Sequence, residues 1–170
     1  MVRSKRFRGI LALAAGAFTA CSGGSVAAAG GDMAALDSDT AAIRDATREF
    51  RSLDSAVAAG YPREVPRCLS HPEQGAMGFH HVNRALLDDT VELERPEILL
   101  YSRTPEGEYQ LNGVEYIVPY SARPPDAEPP TIMDQELKRS APLELWYLHA
   151  WIWTENPSGL FADWNPRVTC

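Results

Sequence analysis

The chain has 170 residues, 45% of them hydrophobic, with 16 Lys+Arg against 23 Asp+Glu and a formal charge of −7 at pH 7. That length and composition suit one domain with one core, and the acidic balance argues against nucleic acid or anionic lipid headgroups as partners recognised by charge. No internal repeat and no second long apolar segment point to further domains.

Arg3, Lys5, Arg6 and Arg8 form a basic start, and residues 9–20 form an apolar run too short to span a bilayer. This predicts a signal peptide over residues 1–20 and export from the cytoplasm. Phe18-Thr19-Ala20-Cys21 resembles a bacterial lipobox, with Phe18 where that pattern usually has leucine. On this route Cys21 is lipidated and tethers the protein to a cell membrane. Ala27, Ala28 and Ala29 also allow ordinary cleavage there, which would give a freely secreted protein, and both routes stand. Loss of the four basic residues takes the mature charge to about −11. Residues 21–36 are small and read as a flexible spacer, leaving residues 37–170 as a single globular domain.

A helix is expected from Asp39 or Thr40. Ile43, Ala46, Phe50, Leu53 and Val57 recur at steps of three and four, and Gly60 is a suitable stop. Residues 61–74 carry Pro62, Pro66 and Pro72 and read as irregular chain, with His71 exposed in a loop. Strands are expected over residues 77–83, 97–102 and 108–120, with a helical turn over 84–90 between the first two. Thr104-Pro105-Glu106-Gly107 makes the last two a hairpin. Asn112-Gly113 sits inside the third of these and predicts a bulge, because a turn there would leave only a stub to pair with. Residues 119–142 hold six of the 13 prolines and read as a lid-like segment, with a short helix over 133–138.

Residues 143–153 contain three of the four tryptophans and no glycine or proline, which predicts a strand buried on both faces. Alternation puts Trp146, Leu148, Ala150 and Ile152 on one face. Tyr147, His149, Trp151 and Trp153 fall on the other, so His149 lies among rings. Asn156-Pro157-Ser158-Gly159 then turns the chain, and Leu160, Phe161 and Trp164 dock the tail. The fold class is α+β: one N-terminal helix on a curved, mainly antiparallel sheet of about four strands. Two apolar faces on the last strand favour curvature into a half-barrel.

Of the three cysteines, Cys21 is used by lipidation or lost on cleavage, so Cys68 and Cys170 remain for a disulfide in an oxidising compartment. Two free thiols are the alternative. His80, Glu115 and His149 interrupt apolar strands, where polar groups need partners. Two imidazoles and a carboxylate can hold a divalent metal, with zinc, copper and iron all compatible, or can complete a hydrogen-bond network in the core. Adjacent strand residues face opposite ways, so only one of His80 and His81 can join such a site. The tryptophans fill the core or line a cavity. No nucleophile motif and no phosphate-cradling loop is present, and no residue is assigned a catalytic role.

Residues 77–83 (Met-Gly-Phe-His-His-Val-Asn), 96–101, 114–119 (Val-Glu-Tyr-Ile-Val-Pro), 148–153 (Leu-His-Ala-Trp-Ile-Trp) and 156–166 together resemble a family of small exported bacterial proteins. The resemblance runs from about Ala56 onwards. It implies that His80 rather than His81, with Glu115 and His149, occupies the motif positions, and it carries no activity with it. The function expected is therefore an exported binding protein, membrane-tethered or secreted, with a metal or small ligand held between the strands and the proline-rich segment. The alternative is a structural or interaction module, and an enzyme is the least favoured reading.

Overall fold

A computed structural model describes residues 26–62 and 67–170. The signal segment, Cys21 and the first part of the spacer lie outside the described residues. Helix α1 spans Val26–Ala46, followed by a 3-10 turn at Arg48–Arg51 and a short helix α2, Leu53–Ala58. Helix therefore begins upstream of Asp39, and the expected single helix is broken into three pieces. At Ser52 the backbone is extended (φ −85°, ψ 118°), and the Ser52 side chain accepts from the Ser55 amide to start α2 afresh. The break rotates α2 relative to the stripe, so Ala56 is fully buried while Val57, the expected member of the stripe, is 48% exposed. Among the described residues no helix is long and apolar enough to cross a membrane.

Six strands form the main sheet: β1 (Leu69–His71), β2 (Gly75–Val82), β3 (Ile98–Arg103), β4 (Tyr109–Pro119), β7 (Lys138–Ser140) and β8 (Leu145–Ala150). Their spatial order is β1-β2-β3-β4-β8-β7, every neighbour antiparallel, and the sheet curls into a half-barrel. The α+β expectation holds, with six strands in place of about four. The two additions lie at the edges, where β1 lies in the proline-rich stretch after Tyr61 and β7 in the expected lid. His71 ends β1 half-buried, its Nδ1 accepting from the Glu73 amide.

The helix expected over 133–138 is a two-stranded ribbon instead, β5 (Thr131–Ile132) and β6 (Gln135–Glu136). Met133 (φ 52°) and Asp134 (φ 56°) form its two-residue loop, both with the positive φ that a tight hairpin of the right twist requires. Burial of the Met133 side chain in the core offsets an unfavourable backbone for that residue.

Both faces of the sheet are covered. One packs Leu99, Tyr101, Val114, Tyr116, Val118, Trp146, Leu148 and Ala150 against Ile43, Phe50, Leu53, Ala56 and Tyr61 of the helical segment and the residues after it. The opposite face carries Ala76, Ile98, Leu100, Ile117 and Trp151, closed in part by Val168 of the tail. Regular pairing of β8 ends at Ala150, which changes the fate of its last tryptophan. Trp153 crosses to the helical side, where its Nε1 donates to Thr47 Oγ1 at 3.0 Å, so the strict alternation expected as far as residue 153 fails there.

Two irregularities tune the sheet. The β3–β4 register shifts between Leu100 and Tyr101, where Gly113 and Leu111 are their partners, so Asn112 is the extra residue of the expected bulge. A Cβ on Gly113 would stand 2.6 Å from the Ala150 carbonyl oxygen, and glycine is what lets β8 approach. A second shift lies opposite β1, where Gly78 has φ +93° and a Cβ there would meet Tyr101 O at 2.2 Å.

The tail is tied in by reciprocal backbone bonds between Ala76 and Asn165, each 3.1 Å, and by Trp151 Nε1 donating to Ala162 O at 2.7 Å. The Cys68–Cys170 disulfide closes it, with Cα atoms 5.6 Å apart and a sequence separation of 102.

Candidate metal centre

β4 is buried along most of its length, and Glu115 is the carboxylate among its inward residues. It stands directly opposite His149 on β8. On the other side, Ile98 of β3 pairs with Glu115, and His80 of β2 pairs with Leu100 of β3. His80, Glu115 and His149 therefore share the face that carries Ile98, Leu100 and Ile117, away from the helices. His81 takes the opposite face, with its ring 4.8 Å from that of Tyr101 and its Nδ1 3.2 Å from Tyr61 O. Strand alternation separates the two histidines as expected, and His80 is the one on the Glu115 side. The Gly78 irregularity also brings Met77 onto the His80 side, an example of a bulge re-aiming side chains beside a site.

The residues His80, Glu115 and His149 are 6%, 6% and 1% exposed. His80 Nε2 lies 3.5 Å from Glu115 Oε2, and His149 Nε2 lies 3.6 Å from Glu115 Oε1. One donor atom from each residue falls within 4.8 Å of the other two. These separations are too long for good hydrogen bonds, and Glu115 Oε2 and His149 Nε2 have no hydrogen-bond partner. Ligand atoms grouped this closely could hold one metal ion. Bonds of about 2.1 Å in a tetrahedron put donors about 3.4 Å apart. Burial holds the His80 pKa below its ordinary value, against the pull of Glu115, which keeps the ring neutral with a lone pair to give.

Behind His149 stands a residue the sequence did not single out. Asp163 Oδ1 lies 3.7 Å from His149 Nδ1. Lys138 Nζ donates to the same oxygen at 2.5 Å, and the Tyr147 hydroxyl donates to Oδ2 at 3.4 Å. The neighbouring His149 ring and then the Lys138 ammonium hold the Asp163 carboxyl down to about 2, against its partial burial. A carboxylate that accepts from the far nitrogen orients a ligating histidine, and Asp163, 3.7 Å away, is near that position without a hydrogen bond. His149 also sits among rings as expected, stacked on Trp151 at 6.3 Å and edge-on to Tyr147 at 5.7 Å. Trp146, Trp151 and Trp153 each donate their indole N–H within the fold and fill core, and none of them lines the space before the histidines.

That space is a cleft of about 530 Å³. His80, Glu115 and His149 line it together with Leu69, Met77, Val82, Ile98, Ile117, Leu143, Leu145, Tyr147 and Ser140. Ser140 and Leu143 come from the proline-rich segment and the turn after it, which thus form part of the rim. No arginine or lysine is among these lining residues.

No family model matches the sequence, and no curated protein or solved structure does.

Proposed function

We propose that this is a metal-binding protein that holds one divalent transition ion on His80, Glu115 and His149, its open coordination side turned to the apolar cleft. One observation carries the reading. Three buried donor groups converge at 3.5 and 3.6 Å, where they cannot satisfy one another by hydrogen bonds but can share an ion. Two imidazoles and a carboxylate suit zinc, iron(II) or copper. The alternative, a hydrogen-bond network in the core, uses the same three groups.

Titration of Zn, Cu and Fe(II) into chelator-treated protein, read by melting temperature, tests it. A hundredfold excess over Kd adds about 2.7 kcal/mol, which for a domain of this size is a rise of about 5 to 10 °C. His80→Ala and His149→Ala should each abolish the rise, while His81→Ala, on the other face, should keep it. Folded variants with unchanged melting in all three metals would leave only a structural cluster.

We also infer export with a lipid anchor at Cys21, supported by the basic start, the lipobox-like sequence and the Cys68–Cys170 pair. The mature protein should partition into membranes, and Cys21→Ser should release it or block processing. Cleavage mapped near Ala29, with both forms partitioning alike, would establish the secreted form instead.

A further inference from the structure

The cleft in front of the three donors has a chemistry of its own. Among the described residues its walls are aliphatic side chains and Met77, with Ser140 and the Tyr147 hydroxyl as the only polar side-chain groups besides the three donors. That hydroxyl is turned to Asp163. Leu143 is 70% exposed and Leu69 37% exposed, so the mouth is apolar too. A ligand body with charges or many hydroxyls would lose its water here and gain no partner. The volume, about 530 Å³, is that of a small-molecule site.

Charge narrows the class further. A divalent ion on two neutral imidazoles and one carboxylate leaves a net charge of about +1 at the floor of the cleft. Asp163 and Lys138 neutralise each other behind it. One monoanion therefore balances the floor, and a second negative charge would meet no cation in the lining.

Resting on the metal reading above, we propose that the cleft takes a small amphiphile with one monoanionic, metal-binding head and an uncharged apolar body. The head completes the ion's coordination, and the body lies along Val82, Ile98, Ile117 and Leu145 towards Leu143. Polyanions such as phosphate esters and dicarboxylates are excluded by the same features.

Co(II) is titrated first, alone, because its visible absorption reports coordination directly. Failure at that step overturns the metal reading and this proposal with it. The cobalt-loaded protein is then titrated with straight-chain carboxylates from acetate to octanoate, and with succinate. Each monocarboxylate should perturb the cobalt bands, and affinity should rise about two- to fourfold per methylene until the cleft is filled. Succinate should bind more weakly than butyrate. Leu143→Ser, an uncharged change at an exposed position at the mouth, should weaken octanoate binding several-fold more than acetate binding. With Co(II) bound, three results would each overturn the cleft assignment while the metal site stands. They are affinity independent of chain length, succinate at least as tight as butyrate, and octanoate binding that leaves the cobalt bands unmoved.

Discussion

Removing the Cys68–Cys170 bridge, by Cys68→Ser with Cys170→Ser, should cost about 2 to 5 kcal/mol of stability. The closed loop is long, at 102 residues of separation, and chain entropy alone gives about 4.7 kcal/mol for a loop of about a hundred residues. Urea unfolding checks both the size and the origin of the effect. The midpoint should fall, and the slope should rise, because an unbridged denatured chain exposes more surface. Intact mass of the bridged protein should lie about 2 Da below its reduced form. The His80, Glu115 and His149 cluster should suffer less than global stability. Asn165 stays paired with Ala76 through both backbone bonds, and Trp151 still holds Ala162, so Asp163 remains near His149 without the bridge. An unchanged urea midpoint in the double variant would refute the prediction.

The strands that build the site were legible because their residues leave few alternatives. Val114 to Val118 and Trp146 to Ala150 are dense in branched and aromatic residues, and once they pair, a period of two fixes which face each side chain takes. That Glu115 and His149 lie in the strands, and that only one of His80 and His81 can join them, follows from that period, whereas the preference for His80 comes from the resemblance. What escaped depends on contacts far away in the chain. β1 and β7 are three-residue edges whose partners, β2 and β8, supply the order that their own sequences do not. The Met133-Asp134 loop has no glycine or asparagine to announce it, and it persists because Met133 is buried. Of the expected apolar stripe, Ile43, Phe50 and Leu53 do pack on the core and Val57 does not. The break at Ser52 lets Phe50 pack on Tyr61 while its carbonyl oxygen accepts from the Tyr101 hydroxyl, an arrangement set by the sheet. Asp163 reaches His149 only after the tail has folded back along β2, so no spacing in the sequence points to it.

Glu97→Gln should make the metal-free protein more stable at pH 8 by several kcal/mol and leave it nearly unchanged at pH 4.5. Glu97 is 2% exposed immediately before β3, and one carboxyl oxygen accepts from the Ile117 amide at 3.1 Å. Burial first, and the nearby Asp88 and Glu115 charges after it, push its pKa from 4.5 up to about 8. The folded protein therefore keeps a proton that the unfolded chain releases. Stability is full below pH 4.5 and is lost as pH rises towards 8, at up to about 1.4 kcal/mol per unit and about 5 kcal/mol in all. Glutamine keeps an acceptor for the Ile117 amide and has no proton to lose. His80 works in the opposite sense. Its lowered pKa makes the fold weaker as pH falls below about 6.5, and that contribution is common to both proteins. The Asp163 carboxyl, held down to about 2, is likewise common to both. The difference between the two unfolding free energies from pH 4.5 to 8 therefore isolates Glu97, and parallel curves across that range would show that its carboxyl ionises in the folded state as it does in water. A cation on Glu115 would offset part of the negative field at Glu97, so a metal that binds there should narrow the gap at pH 8, linking the buried acid to the metal centre.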